Sequence, residues 1–183
     1  MKHCRTRNIE SKRLILRKFT LNDALSMYKN WASDKEVTKY LTWLPHLNVT
    51  VTKNVIKNWV NNYSSDNYYK WAIILKENGN EPIGDISVVS LKEQESIATI
   101  GYCIGKFWWN KGITSEALKL VIDFLFDEIG LKEIEAEYDS NNLGSGKVMQ
   151  KCGMQYKKTF YLTKENDKRC STFYCYSIKN KKR

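Results

Sequence analysis

The chain is poor in the residues that build metal centres and disulfide scaffolds. It has two His among 183 residues, His3 and His46, too few for a His-based metal centre. Its Cys, at 4, 103, 152, 170 and 175, are odd in number and lack Cys-x-x-Cys spacing. That argues against a disulfide framework and a zinc site, so no metal is expected. No apolar run approaches the roughly 20 residues of a membrane span, so no membrane partner is expected. The start, Met1-Lys-His-Cys-Arg-Thr-Arg7, is basic but lacks the apolar stretch of a secretory signal. There is no internal repeat and no Pro/Gly-rich linker. A reduced, cytoplasmic protein with one domain over residues 1–183, its core from about 10 to 179, is the expectation. Acidic residues are also scarce: 20 against 30 basic, a net charge of +10. The surplus implies affinity for acidic partners, the ribosome among them. Its one real cluster is Lys179-Asn-Lys-Lys-Arg183, and no basic stripe is interleaved with aromatics, so there is no strong nucleic-acid signal.

The chain does have apolar bulk, 42% hydrophobic and 13% aromatic with six Trp. At this length roughly 70% of the unfolded surface can be buried. Arg13-Leu-Ile-Leu-Arg-Lys-Phe19 alternates and predicts a strand. Thr20 with Asp23 forms a capping box ahead of a helical stripe of Leu21, Ala24, Leu25, Tyr28 and Ala32. A further turn follows over Asp34 to Leu41. Thr50 is the expected cap of the next helix, with Val51, Val55, Ile56, Trp59, Val60 and Tyr63 on its apolar face. Trp71-Ala-Ile-Ile-Leu75 is a continuous apolar run, as in a strand covered on both faces. Pro82 to Leu91 and Ser96 to Gly105 are two more strands with short connections, hence an antiparallel meander. Gly84 marks a bulge or a close backbone approach.

The centre is Ile97 to Gly130. It reads as strand, Gly-containing loop, then a helix from Thr114 with Leu118, Val121, Ile122, Leu125, Phe126 and Ile129 on one face. Thr114 or Ser115 is its expected cap, Glu116 lies in its first turn and Gly130 ends it. Such a helix start directs free N–H groups and the positive dipole end at one spot, which suits a phosphate. A plain crossover with nothing bound fits the pattern equally well. The strand Glu133 to Tyr138 alternates, with Ile134, Ala136 and Tyr138 on one face and glutamates on the other. The helix between makes it parallel to the strand at 96–105. A short helix follows over Asn142 to Lys151. Met154 to Leu162 and Ser171 to Ile178 form a hairpin about a polar turn at Lys164 to Asp167.

The predicted fold is therefore α/β (α+β): a mixed, mostly antiparallel central sheet with helices on both faces. That order resembles the GNAT superfamily of acyl-CoA N-acyltransferases, and within it the RimJ/RimL-like branch. The residues that carry the likeness are Arg13-Leu-Ile-Leu-Arg17, Ile83-Gly-Asp-Ile86, Ile100-Gly-Tyr-Cys-Ile104, Trp109-Asn-Lys-Gly-Ile-Thr-Ser-Glu-Ala117, Asn142-Leu-Gly-Ser145 and Lys151-Cys-Gly-Met154. The resemblance implies a splayed parallel strand pair and acetyl-CoA as cosubstrate. It places the CoA pyrophosphate on Trp109, Asn110, Lys111, Gly112, Ile113, Thr114 and Ser115. The pantetheine would meet backbone groups at Cys103 and Ile104, and Asn142. The family's usual loop pattern is Gln/Arg-x-x-Gly-x-Gly/Ala, from which Trp109 and Thr114 depart.

The implied chemistry is acetyl transfer to an amine, on a protein N-terminus or a small molecule. The resemblance makes the backbone N–H of Cys103 the oxyanion donor and Ser145 the acid that serves the leaving thiolate. The Tyr that many relatives use for that task is replaced by Met149, and the Glu that many use as base by Thr99. Asp85 and Glu137 are the remaining candidates for the base. The two missing residues also raise an alternative, a non-catalytic CoA-binding or interaction module of the same fold.

Overall fold

The computed structural model describes residues 1–164 and 167–181. The polar turn at Lys164 to Asp167 and the basic end at Lys179 to Arg183 lie partly outside the described residues.

The apolar run at 71–75 becomes β3 (Lys70–Leu75), and every residue of it is buried. Trp71, Ile73 and Leu75 enter one core and Ala72 and Ile74 the other, as alternation requires. β3 is part of an eight-stranded sheet, with β1 (Ile9–Glu10), β2 (Leu14–Arg17), β4 (Pro82–Lys92), β5 (Ile97–Ile104), β6 (Glu133–Asp139), β7 (Gln155–Lys164) and β8 (Asp167–Lys179). The spatial order is β1-β2-β3-β4-β5-β6-β8-β7. All neighbours are antiparallel except β5 and β6. β1 and β2 form a short hairpin on the outer edge, and β1 escapes the sequence pattern because two residues show no alternation.

α1 (Ala24–Met27) and α3 (Val49–Asn62) supply the core on one face, with α2 (Lys35–Thr38) beside them. α4 (Ile113–Phe124) and α5 (Leu143–Lys151) supply it on the other. Each fully buried aliphatic or aromatic side chain, such as Ile73 or Trp71, contributes about 1.5–3 kcal/mol relative to exposure.

Two helix starts differ from expectation, those of α3 and α4, while the Thr20/Asp23 capping box ahead of α1 is present and the period after it differs. α3 is capped by Asn48, whose side chain accepts from Val51 N at 3.1 Å, so Thr50 lies inside the first turn. Val51 is then exposed and Thr52 is buried against His46 Nδ1 at 2.8 Å. α1 is entered by a 3-10 turn (Leu21–Asp23) and left by a π turn (Tyr28–Ala32), so a uniform 3.6 period does not hold. Its buried stripe is Ala24, Met27, Trp31 and Ala32, while Leu21 and Leu25 face solvent. α4 begins at Ile113, behind Gly112 at φ 72°, and has no side-chain cap, neither Thr114 nor Ser115. It runs into a second π turn (Leu125–Ile129) that Gly130 ends at φ 77°.

The glutamates of β6 do not all face water. Glu133 and Glu135 are buried because Lys157 Nζ spans both, at 2.7 and 2.6 Å. Lys157 sits at a register shift between Tyr156 and Lys158, which frees it to reach across β8.

Candidate functional site

β5 and β6 pair only from Ile97↔Glu133 to Ile100↔Ala136. β5 continues to Ile104 and β6 to Asp139, so the strands part and leave a gap between 101–104 and 137–139. The α4 N-terminus follows β5 after an eight-residue loop, and α5 follows β6 with three residues between.

Gly84 lets β4 hold β5 tightly beside this gap. A Cβ there would lie 2.4 Å from the Cys103 carbonyl oxygen and 2.9 Å from Ile104 Cα. The close approach expected at Gly84 is therefore real, and the register shift at Ile73/Ile74 lies across from it. β4 and β5 keep one register from Gly84↔Ile104 to Val88↔Ile100, and Gly105 N–H donates to Ile83 O at 2.9 Å. Bonded positions alternate in an antiparallel pair. The amides of Gly101 and Cys103 thus face β4, and those of Tyr102 and Ile104 face the gap. The free donor moves from Cys103, where it was expected, to its two neighbours. The Cys103 side chain packs on the α1/α3 side, where burial pushes its thiol well above the ordinary range, with Asp85 adding and Lys70 opposing.

The loop from β5 to α4 is anchored at both ends. Trp109 Nε1 donates to Ile104 O at 3.0 Å. Asn110 at φ 61° and Gly112 at φ 72° are both left-handed and flank Lys111. Arg13 Nη2 donates to Lys111 O at 3.2 Å. Glu116 in the first turn of α4 accepts from Ser11 Oγ at 2.6 Å and pairs with Arg13 Nε. Burial alone would raise the Glu116 carboxyl, but these two donors and the Arg13 charge hold it below its usual range. Helix geometry leaves the amides of Ile113, Thr114 and Ser115 without intrahelical acceptors. Lys111 Nζ lies 4.1 Å from the Phe107 ring centroid, and that ring is 74% exposed. A cleft of about 580 Å³ on this flank is lined by Lys12, Arg13, Lys76, Glu77 and Glu116.

Across the gap, Asn142 caps α5, accepting from Ser145 N at 3.3 Å. Gly146 is required because its Cβ would lie 2.5 Å from the Tyr138 ring. Met149 is fully buried in the core. A hydroxyl nevertheless stands at this place. Tyr102 Oη lies 3.0 Å from Ser145 Oγ and donates to Ser145 O at 3.0 Å. Burial pushes the Tyr102 phenol far up, the bond to Ser145 opposing, so it is a neutral hydrogen-bond donor. Sequence reasoning passed over Tyr102 because it sits in a strand, far along the chain from α5.

Asp85 is not a surface carboxylate. It is buried, with Lys70 Nζ 2.6 Å from its Oδ2. Glu137 is exposed on β6, one residue beyond the last that pairs with β5, and shares its face with Glu135. Burial and the Glu135 charge raise its carboxyl against the pull of Lys158 and Lys92. Ligand atoms of Glu135, Glu137 and Cys175 come within 4.8 Å of one another, although Lys157 already occupies Glu135. Among the described residues the cysteines are free. No described helix is long and apolar enough to cross a membrane.

The family model described as acetyltransferase (GNAT) domain matches residues 13–155. An uncharacterised N-acetyltransferase, p20, of Bacillus licheniformis is 34% identical over 146 residues, 79% of this chain and 80% of its own. A crystal structure of an acetyltransferase (GNAT family) from Bacillus anthracis is 26% identical, with a TM-score of 0.82 over 94% of this chain and 98% of that one. The microcin C7 self-immunity acetyltransferase MccE, solved in complex with acetyl-CoA and AMP, is 18% identical. It has a TM-score of 0.81 over 93% of this chain and 94% of its own, and shares the fold.

Proposed function

The chain belongs to the acetyltransferase (GNAT) family and is an acyltransferase, and from that premise we propose that it moves an acetyl group from acetyl-CoA to a primary amine. One observation carries the reading. A helix N-terminus without a side-chain cap stands directly at the mouth of a gap between parallel strands. The first is a place for a pyrophosphate, the second for an extended pantetheine arm that bonds to a free strand edge. The family decides against the non-catalytic module that the absent Tyr and Glu raised.

The pyrophosphate is assigned to the loop Trp109 to Ser115, with Lys111 adding a charge. The arm is assigned to the gap-facing backbone of Tyr102 and Ile104, bordered by Asn142. An amine must lose a proton before it attacks, and Glu137, whose carboxyl is raised above its usual range, accepts it through water. As the N–C bond forms, a gap-facing amide of Tyr102 or Ile104 donates to the thioester oxyanion. As the C–S bond breaks, Ser145, oriented by Tyr102, donates to the sulfur. The whole chain is read as one domain, in the cytoplasm and in the RimJ/RimL-like branch. Its acceptor is a protein N-terminus or a small-molecule amine. The net charge of +10 favours acidic partners, including ribosomal ones.

The test is acetyl-CoA-dependent thiol release against a panel of primary amines and unblocked peptides, with products weighed by mass spectrometry. Transfer predicts thiol and acetylated amine in equal amounts. Thiol release unaffected by any amine would overturn it.

A further inference from the structure

The face of the sheet opposite α4 and α5 carries a charged pair that the donor site does not use. Lys70 lies two residues from Ala72 on β3, so both side chains face α1 and α3. Asp85 opposes Ala72 on β4, and Cys103 on β5 opposes Asp85. Lys70 Nζ is 2.6 Å from Asp85 Oδ2, 3.4 Å from Ser87 Oγ and 3.9 Å from the Trp59 ring centroid. These three contacts occupy the ammonium.

Asp85 is occupied on one side only. Its Oδ1 accepts no hydrogen bond from a described residue. Among the described residues the one sealed side-chain polar atom without a partner is Trp31 Nε1, so Oδ1 is not sealed off, and the Asp85 side chain keeps 12% exposure. This carboxylate, pinned on one oxygen and open on the other, stands one strand from the gap. Its surroundings are aromatic. Trp59 packs on Phe19, and Tyr63 on Tyr68. Tyr63 is fully used, since its hydroxyl donates to Lys70 O and accepts from Phe19 N.

We infer that the open oxygen of Asp85 receives the ammonium of the acceptor, that Lys70 is the positioning residue for that carboxylate, and that the acceptor is a monoamine bearing an apolar or aromatic group rather than a polyamine. The inference rests on the proposed transfer reaction and narrows its substrate. Lys70 neutralises Asp85, so the pair offers one hydrogen-bonding oxygen and no spare negative charge. A second ammonium on the acceptor would meet Lys70 at close range. The aromatic walls suit an apolar substituent. The groups that face Asp85 are Lys70 from β3, Ser87 beside it on β4, Cys103 from β5, Trp59 from α3, Tyr63 just past its end, and Tyr68. Lys70 is the one basic side chain of these, and burial raises the Cys103 thiol and both phenols, that of Tyr68 to about 12.

The test compares phenethylamine with spermidine as acceptor, in the full-length chain and in Asp85→Asn, Lys70→Met and Lys70→Arg. Phenethylamine is expected to exceed spermidine at least tenfold in kcat/KM. Asp85→Asn should raise the phenethylamine KM at least tenfold with the acetyl-CoA KM unchanged. Lys70→Met should raise the phenethylamine KM at least tenfold with the acetyl-CoA KM unchanged, because the carboxylate loses the ammonium that holds it. Lys70→Arg should restore the amine KM. An unchanged amine KM in Asp85→Asn or in a folded Lys70→Met, no recovery in Lys70→Arg, or equal use of spermidine would overturn the inference. If the full-length chain releases no thiol with any amine, the transfer reading fails, and calorimetric titration with phenethylamine decides the site separately. Binding lost in Asp85→Asn upholds it, and binding absent or unaltered overturns it.

Discussion

Replacing Gly112 by Ala separates the turn from the ligand site. Gly112 sits at φ 72° and ψ 2°, the left-handed region, at the cap of α4. A Cβ there would touch only Arg13 Nη2, at 3.5 Å, an ordinary contact. The cost is therefore conformational rather than steric, about 1–2 kcal/mol. For a domain of this size that lowers Tm by about 2–8 °C. The larger effect should fall on acetyl-CoA. If the chain relaxes away from the left-handed region, the amides of Ile113 to Ser115 turn from their common focus. Losing one charge-assisted hydrogen bond to phosphate costs about 1.5–3 kcal/mol. That is a loss of about 10- to 100-fold in Kd. Thermal denaturation with acetyl-CoA at about 100 times the Kd of the unsubstituted chain reads both effects. The unsubstituted chain should gain about 2.7 kcal/mol, and a variant weakened about 100-fold only about 0.4 kcal/mol. A variant with a lowered ligand-free Tm but a Kd within about threefold of the unsubstituted chain would refute the anion site while leaving the turn. A variant with unchanged Tm would refute the strain.

Gly84→Ala places a Cβ 2.4 Å from the Cys103 carbonyl oxygen, so strands must separate; a loss of about 1–3 kcal/mol by chemical denaturation is expected, with weaker acetyl-CoA binding. Glu116 has a folded pKa below its unfolded value, so its contribution is present above about pH 4.5 and lost as pH falls through the folded value. Glu116→Gln should therefore be less stable than the unsubstituted chain at pH 7, with the gap closing as pH falls below about 4, as urea midpoints will show. Ser145→Ala should reduce kcat about 10²-fold with acetyl-CoA binding retained, and Tyr102→Phe should reproduce part of that loss; unchanged turnover in both removes this pair from thiolate protonation. Glu137→Gln should abolish the acid limb of the kcat profile, which lies above the ordinary carboxylate value because the Glu137 carboxyl is raised; a limb that persists assigns the base elsewhere.

The strands and the order of elements were legible because they rest on periodicity, which burial enforces. The run at 71–75 is buried on both faces as its composition demanded, and β5 and β6 run parallel because a helix joins them. The helix starts were less legible. Asn48, not Thr50, caps α3, and nothing caps α4, because local propensity cannot tell which candidate the tertiary fold will use. At the candidate site, the loop was visible as a contiguous string from Trp109 to Ser115. The pairs were not. Tyr102 meets Ser145 and Lys70 meets Asp85 across strands and helices, and such contacts leave no spacing in the chain. Lys70 did leave one trace, a lone cation opening a wholly apolar strand, where a partner had to exist. The shift from Cys103 to its neighbours as gap-facing donors required the register of β4 against β5.

The most direct measurement is a crystal structure of the full-length chain grown with acetyl-CoA. The expected result has pyrophosphate oxygens within hydrogen-bonding distance of the amides of Ile113 to Ser115. It also has the pantetheine arm between β5 and β6 and the thioester oxygen facing an amide of Tyr102 or Ile104. Acetyl-CoA bound elsewhere, or a parallel pair zipped closed beyond Ile100 and Ala136, would contradict it.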